Sequence, residues 1–101
     1  AGVETSEYAW RSKENNPGAQ IDLLIDRADG VINLLEMKYT QSPFAIDKDY
    51  RMNLLTKEDD FRRESKTRKA IRITLVASSG LSKNGYSDVI DSLVTGKDLF
   101  Q

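Results

Sequence analysis

Residues 18–39 read GAQIDLLIDRADGVINLLEMKY, two apolar runs joined by Ala28-Asp29-Gly30. Runs rich in Ile, Leu and Val and bounded by turn residues predict strands over 21–27 and 31–39. A three-residue loop ending in glycine suits a type I turn followed by a left-handed residue, because only glycine takes that conformation without a steric penalty. This loop pairs Arg27 with Val31, and counting back sets Leu24 opposite Leu34 and Asp22 opposite Glu36. A two-residue Asp29-Gly30 turn would shift the register by one and separate the two acids.

Side chains in a strand alternate between faces. Gln20, Asp22, Leu24 and Asp26 therefore share one face of the first strand, with Ile21, Leu23 and Ile25 on the other. Ile32, Leu34, Glu36 and Lys38 share a face of the second, opposite Val31, Leu35 and Met37. The directly opposed acids stand about 4.5–5.5 Å apart across such a ladder. At an effective dielectric near 20 and about 5 Å they repel by on the order of 3 kcal/mol. Three remedies are open: an ion pair with Lys38 on the same face, protonation of one acid, or a divalent cation. Two converging carboxylates suit Mg²⁺, with water and a substrate phosphate completing its octahedron. A lysine beside them is placed to orient or deprotonate an attacking water, or to offset charge building on the phosphate.

Outward from the hairpin, residues 2–11 (GVETSEYAWR) are expected to form an opening strand and residues 12–18 (SKENNPG) a loop. From Asp47 to about residue 64 the period changes: Tyr50, Leu54 and Phe61 recur at helical spacing behind Asp47 as N-cap. Residues 70–77 (AIRITLVA) predict a buried strand; residues 88–95 (DVIDSLVT) read as a strand or a helical turn, with strand favoured, and residues 97–100 as an aromatic end packed on the core. The order β-β-β-α-β-(β) gives an α/β fold, a mixed sheet with a helix laid on one face, and residues 1–101 make a single domain.

With 15 basic and 16 acidic residues, the net charge of −1 provides no global attraction to nucleic acid or an acidic membrane. The chain has no cysteine and no histidine, which removes disulfides, thiolate chemistry, Cys/His zinc sites and Ser-His-Asp or Cys-His catalysis. A metal ion must then be a hard one held by oxygen. No apolar run approaches the roughly 18 residues that span a bilayer, and residues 1–20 lack the charged-then-apolar order of a signal peptide. A cytoplasmic protein is expected, without membrane partners, and Ala1 in place of an initiator Met suggests a piece cut from a longer one.

Asp22, thirteen intervening residues and then Glu36-Met37-Lys38, on a hairpin followed by a helix and a strand, resemble the PD-(D/E)XK nuclease superfamily. GAQIDLLIDR, INLLEMKY, SPFAIDKDY, KTRKAIRITL and the closing KDLF look like the C-terminal domain that follows a P-loop ATPase module in a group of bacterial and archaeal proteins, a resemblance spanning nearly the whole chain. It implies a restriction-endonuclease-like core with Mg²⁺ or Mn²⁺ held by Asp22, Glu36 and the Met37 backbone carbonyl, Lys38 as the catalytic lysine and Gln20 as an auxiliary residue. It further implies hydrolysis or binding of DNA phosphodiesters, an N-terminal ATPase domain as partner, and an opening helix upstream of Ala1. The rival expectation is a non-catalytic docking or DNA-holding module of that ATPase. The usual Pro-Asp is Ile-Asp here, a common and chemically harmless departure.

Arg62, Arg63, Lys66, Arg68 and Lys69 concentrate positive charge after the helix. They are placed to contact phosphates, or form a solvated helix end favoured by its dipole. Trp10 and Tyr8 offer stacking surfaces, with packing as the ordinary role of a lone tryptophan. Asp47, Asp49, Asp59 and Asp60 lack calcium-loop spacing and read as a cap and a solvated face; Lys48 and Tyr50, at the helix start, either approach the site just after the Glu36-Met37-Lys38 strand or, the favoured reading, serve as surface and core.

Overall fold

The computed structural model describes residues 4–13 and 19–99. Strands β2 (Gln20–Arg27) and β3 (Val31–Lys38) form the hairpin, closed by Ala28-Asp29-Gly30 with Gly30 at φ 91°. The register is the one the glycine-terminated loop imposes: Asp26 faces Ile32, Leu24 faces Leu34, and the last rung is Leu23 with Leu35. The ladder stops one residue short of Asp22 and Glu36.

The cause lies on the other side of β2. Strand β1 (Thr5–Arg11) pairs antiparallel with it, Tyr8 opposite Leu24 and Trp10 opposite Ile21. Two steps along β1 thus match three along β2, so β2 carries an extra residue at Asp22-Leu23. Such a bulge bends its strand and ends or re-aims pairing. It corrects the strict alternation expected from the sequence, for Ile21 and Leu24 are both fully buried and belong to the same core cluster. Asp22, between them, is exposed.

Helix α1 (Lys48–Ser65) begins at Asp47, whose Oδ1 accepts the Tyr50 backbone N–H at 2.7 Å. Asp49 in its first turn and Arg62 and Arg63 in its last complement the helix dipole. Leu54 and Phe61 are the buried apolar residues of α1, and Phe61 clusters with Ile21, Leu24, Ile32, Leu34 and Ile71 of the sheet. Asp47→Ala is expected to cost about 1 kcal/mol by freeing that N–H, measurable as a lowered midpoint in thermal unfolding.

After α1 the chain returns as β5 (Ala70–Ala77), parallel to β3 in unbroken register from Val31–Ala70 to Lys38–Ala77. As a central strand it is apolar at nearly every position, with Ile71, Ile73, Leu75, Val76 and Ala77 buried. Strand β7 (Ser92–Thr95) adds in parallel, giving the mixed five-stranded order β1-β2-β3-β5-β7. The strand expected over 88–95 is shorter: Ser87–Val89 is a 3₁₀ turn closed by Ile90 N–H to the Ser87 carbonyl, and Asp91 ties to Ile73 through both its backbone and its carboxylate before pairing begins. Two two-residue strands, β4 (Phe44–Ala45) and β6 (Leu81–Ser82), make a small parallel ladder that periodicity is too short to reveal. A short helix, α2 (Gly96–Leu99), follows β7. The expected packing of Phe100 and most of the 12–18 loop lie outside the described residues. Among the described residues no helix is long and apolar enough to cross a membrane.

Candidate functional site

An open cleft of about 550 Å³ has Asp22, Glu36, Met37, Lys38, Tyr50 and Lys57 in its wall. It forms where β2 and β3 cease to pair, against the first half of α1. The hairpin therefore delivers Asp22, Glu36 and Lys38 to one opening, as its spacing anticipates. It does so with the acids splayed by the bulge instead of locked across a rung.

Glu36 is 8% exposed. Its Oε1 accepts the Lys57 ammonium at 2.9 Å and the Tyr50 hydroxyl at 3.3 Å. Among the described residues no buried side-chain oxygen or nitrogen lacks a partner. Both donors sit on Oε1, so Oε2 is the oxygen that opens to the cleft. Asp22 is held from the other direction: Gln20 Nε2 donates to its Oδ1 at 3.0 Å, and Gln20 Oε1 accepts from Arg11 at 2.9 Å. Gln20 thus holds Asp22 through Oδ1, and Asp22 lines the opening.

Lys38 does not pair with either acid. Its ammonium lies 4.8 Å from the Tyr50 ring centroid and 5.3 Å from that of Phe44, two rings that themselves pack edge to face at 5.1 Å. The expectation of a structural Lys38 ion pair is corrected: the partner of Glu36 comes from α1. Met37 also lines the cleft. The Lys38 carbonyl accepts from Ser78 N–H on the β5 side, and carbonyls alternate edges along a strand, so that of Met37 points toward β2, beyond the last rung.

No family model matches the chain, and no curated protein matches it. A solved structure titled "Crystal Structure of Protein of Unknown Function AF1548" superposes with a TM-score of 0.61 at 17% identity, over 93% of this chain and 50% of that one. The likeness is one of fold. This chain spans half the length of the protein it resembles.

Several expectations about neighbouring residues change. Asp47 and Asp49 line the cleft, Asp47 while capping α1. Asp60 is buried against Arg63, not solvated. Of the two helix-start residues, Tyr50, half-buried, takes the approach to the site over a core role, and Lys48 is absent from the cleft wall. Trp10 packs edge to face on Phe61 at 5.4 Å, which is its packing role. Arg62, Arg63, Lys66, Arg68 and Lys69 are absent from the cleft wall. Arg62 reaches the Lys69 carbonyl, Arg63 holds Asp59 and Asp60, and Lys69 bonds Asp26 and the Arg27 carbonyl.

Lys57 is the residue that sequence reasoning missed. Its signal was present: with Tyr50, Leu54 and Phe61 it completes an i, i+4, i+7, i+11 stripe, the inward face of α1. A lysine on such a face needs a buried anion, and Glu36 is that anion.

Burial first, then the negative charge of Glu36, push the Tyr50 phenol well above its ordinary value of 10.0. Its folded-state pKa exceeds the unfolded one, so this contribution to stability is complete below pH 10 and shrinks as pH climbs beyond it. Stability is therefore expected to fall more steeply above pH 10 in the wild type than in Tyr50→Phe, as denaturant titrations across alkaline pH will read.

Proposed function

We propose that this domain is a metal-dependent nuclease-like module with a restriction-endonuclease-like core, acting on or binding DNA phosphodiesters as the C-terminal part of a larger ATPase. The observation that carries the reading is the convergence of Asp22, Glu36 and Lys38 on one cleft at the point where the β2–β3 ladder opens. Folding alone gives no reason to gather two acids and a lysine where pairing is lost.

The donor set suits Mg²⁺ or Mn²⁺. Asp22 and Glu36 line the opening, and the Met37 carbonyl points to the same edge. Two carboxylates and a backbone carbonyl suit an ion that retains several waters; among the described residues no group of three or more acidic side chains is placed to hold a metal. When bound, such an ion supplies Lewis acidity toward a phosphate oxygen. Gln20 fixes the Asp22 carboxylate, and Tyr50 fixes that of Glu36. Lys38, held over the Tyr50 and Phe44 rings, orients the attacking water and offsets negative charge on the phosphate.

The test is cleavage of mixed single- and double-stranded DNA substrates with Mn²⁺, comparing wild type with Glu36→Ala. Metal-dependent cleavage lost in Glu36→Ala is the expected result; equal behaviour of the two proteins removes the catalytic reading. A docking or DNA-holding module is the second reading, favoured by the ion pair that Lys57 makes with Glu36. It predicts calorimetric silence with both Mg²⁺ and Mn²⁺.

A further inference from the structure

Glu36 is buried in the cleft wall, where a carboxylate needs a positive partner, and Lys57 provides it from α1. Its side chain is 18% exposed and that of Glu36 10%, so the pair is shielded from solvent and weakly screened by salt. Glu36 is the one carboxylate within ion-pair distance of Lys57 among the described residues. The ammonium thus stands on the carboxylate that a divalent ion must use, in the wall of the cleft the ion must enter.

We infer that Lys57 is a built-in stand-in for the divalent cation: its ammonium and the metal compete for Glu36, and metal binding frees Lys57 into the cleft. The inference rests on the metal-binding reading above and deepens it by assigning a positioning residue on α1. Without an ion, Lys57 holds the Glu36 carboxylate in the cleft wall through the 2.9 Å contact to Oε1. An ion bound through Oε2 would repel the ammonium from Oε1 and release it toward an anionic substrate.

The sign of the effect separates this role from an ordinary supporting contact. Loss of a residue that merely props up a metal ligand weakens metal affinity, commonly by about 10–100-fold. Loss of a competing charge strengthens it: a dication and an ammonium about 6 Å apart repel enough, even at bulk-water dielectric, to change binding by about tenfold.

Calorimetric titration of Mn²⁺ into the wild type, Lys57→Gln and Lys57→Arg tests this. Glutamine keeps an amide donor for Glu36 without the charge, and arginine keeps the charge. Lys57→Gln is expected to bind Mn²⁺ about tenfold or more tightly than the wild type, and Lys57→Arg with wild-type affinity within about threefold. Unchanged or weaker binding by a folded Lys57→Gln overturns the inference while leaving the metal site intact. Absence of Mn²⁺ binding in both wild type and Lys57→Gln overturns the metal reading itself and the inference with it. If Lys57→Gln unfolds without metal, Mn²⁺ that restores its circular dichroism supports the inference, and failure to restore it counts against it.

Discussion

Lys38→Met is expected to lower turnover in Mn²⁺-dependent DNA cleavage by about 10²–10⁴-fold, the usual worth of a positioned proton-transfer group, with Mn²⁺ affinity close to that of the wild type. The geometry separates the two effects. Among the described residues no carboxylate lies within ion-pair distance of Lys38, whose ammonium rests over the Tyr50 and Phe44 rings. Its removal therefore sacrifices no metal ligand and no ion pair. The folding cost is limited to the cation–π contact, about 0.5–1 kcal/mol and up to about 2 where desolvated. Asp22→Asn makes the contrasting control, because it removes a ligand charge and is expected to weaken Mn²⁺ binding as well as cleavage. Paired measurements of single-turnover cleavage and of denaturant unfolding decide the matter. A Lys38→Met protein that is less stable yet cuts at the wild-type rate would assign Lys38 to structure alone.

The second large effect is on folding. Phe61→Ala is expected to destabilise the domain by about 3–5 kcal/mol, the transfer and cavity cost of deleting a buried aromatic ring. Phe61 is 2% exposed and occupies the centre of the core, edge to face with Trp10 and clustered with Ile21, Leu24, Ile32, Leu34 and Ile71. It links α1 to β1, β2, β3 and β5 at once, so no small shift of one element refills the space. For a domain whose total stability is about 5–15 kcal/mol, such a loss leaves little margin. Each kcal/mol corresponds to about 4–8 °C in Tm at this size. A fall in the denaturant midpoint with an unchanged slope, followed by Trp10 fluorescence, would confirm a cavity; a changed slope would indicate an altered denatured or native ensemble.

Much of the architecture was legible in the chain. The Ala28-Asp29-Gly30 loop set the hairpin register because its glycine adopts a backbone conformation closed to other residues, and that constraint is local. The Asp47 cap, α1 and the β5 run were equally readable, since each depends on contacts within a few residues or on a sustained period. The β4–β6 ladder was not, because elements of two residues carry no period and form only where distant segments meet; over residues 88–95 the chain left strand and helical turn open, and the fold uses both in succession. The same limit applies to the candidate site. Asp22, Glu36 and Lys38 stood out as charges inside apolar strands, whereas Lys57 looked like one more charge on a helix whose exposed side carries many.

The amino-acid sequence by itself determined the hairpin, its register and the three charged residues that any reading of this protein must explain, because turn chemistry and side-chain alternation act over short range. Tertiary structure alone decided how those residues are used. The extra residue in β2 becomes visible only when β1 pairs with it, and it is that bulge which ends the ladder before Asp22 and Glu36 and opens the cleft. The packing of α1 across the sheet then brings Lys57 and Tyr50 onto Glu36 from 21 and 14 residues away. An electrostatic partner is chosen by distance in space, and that distance exists only once the core has closed.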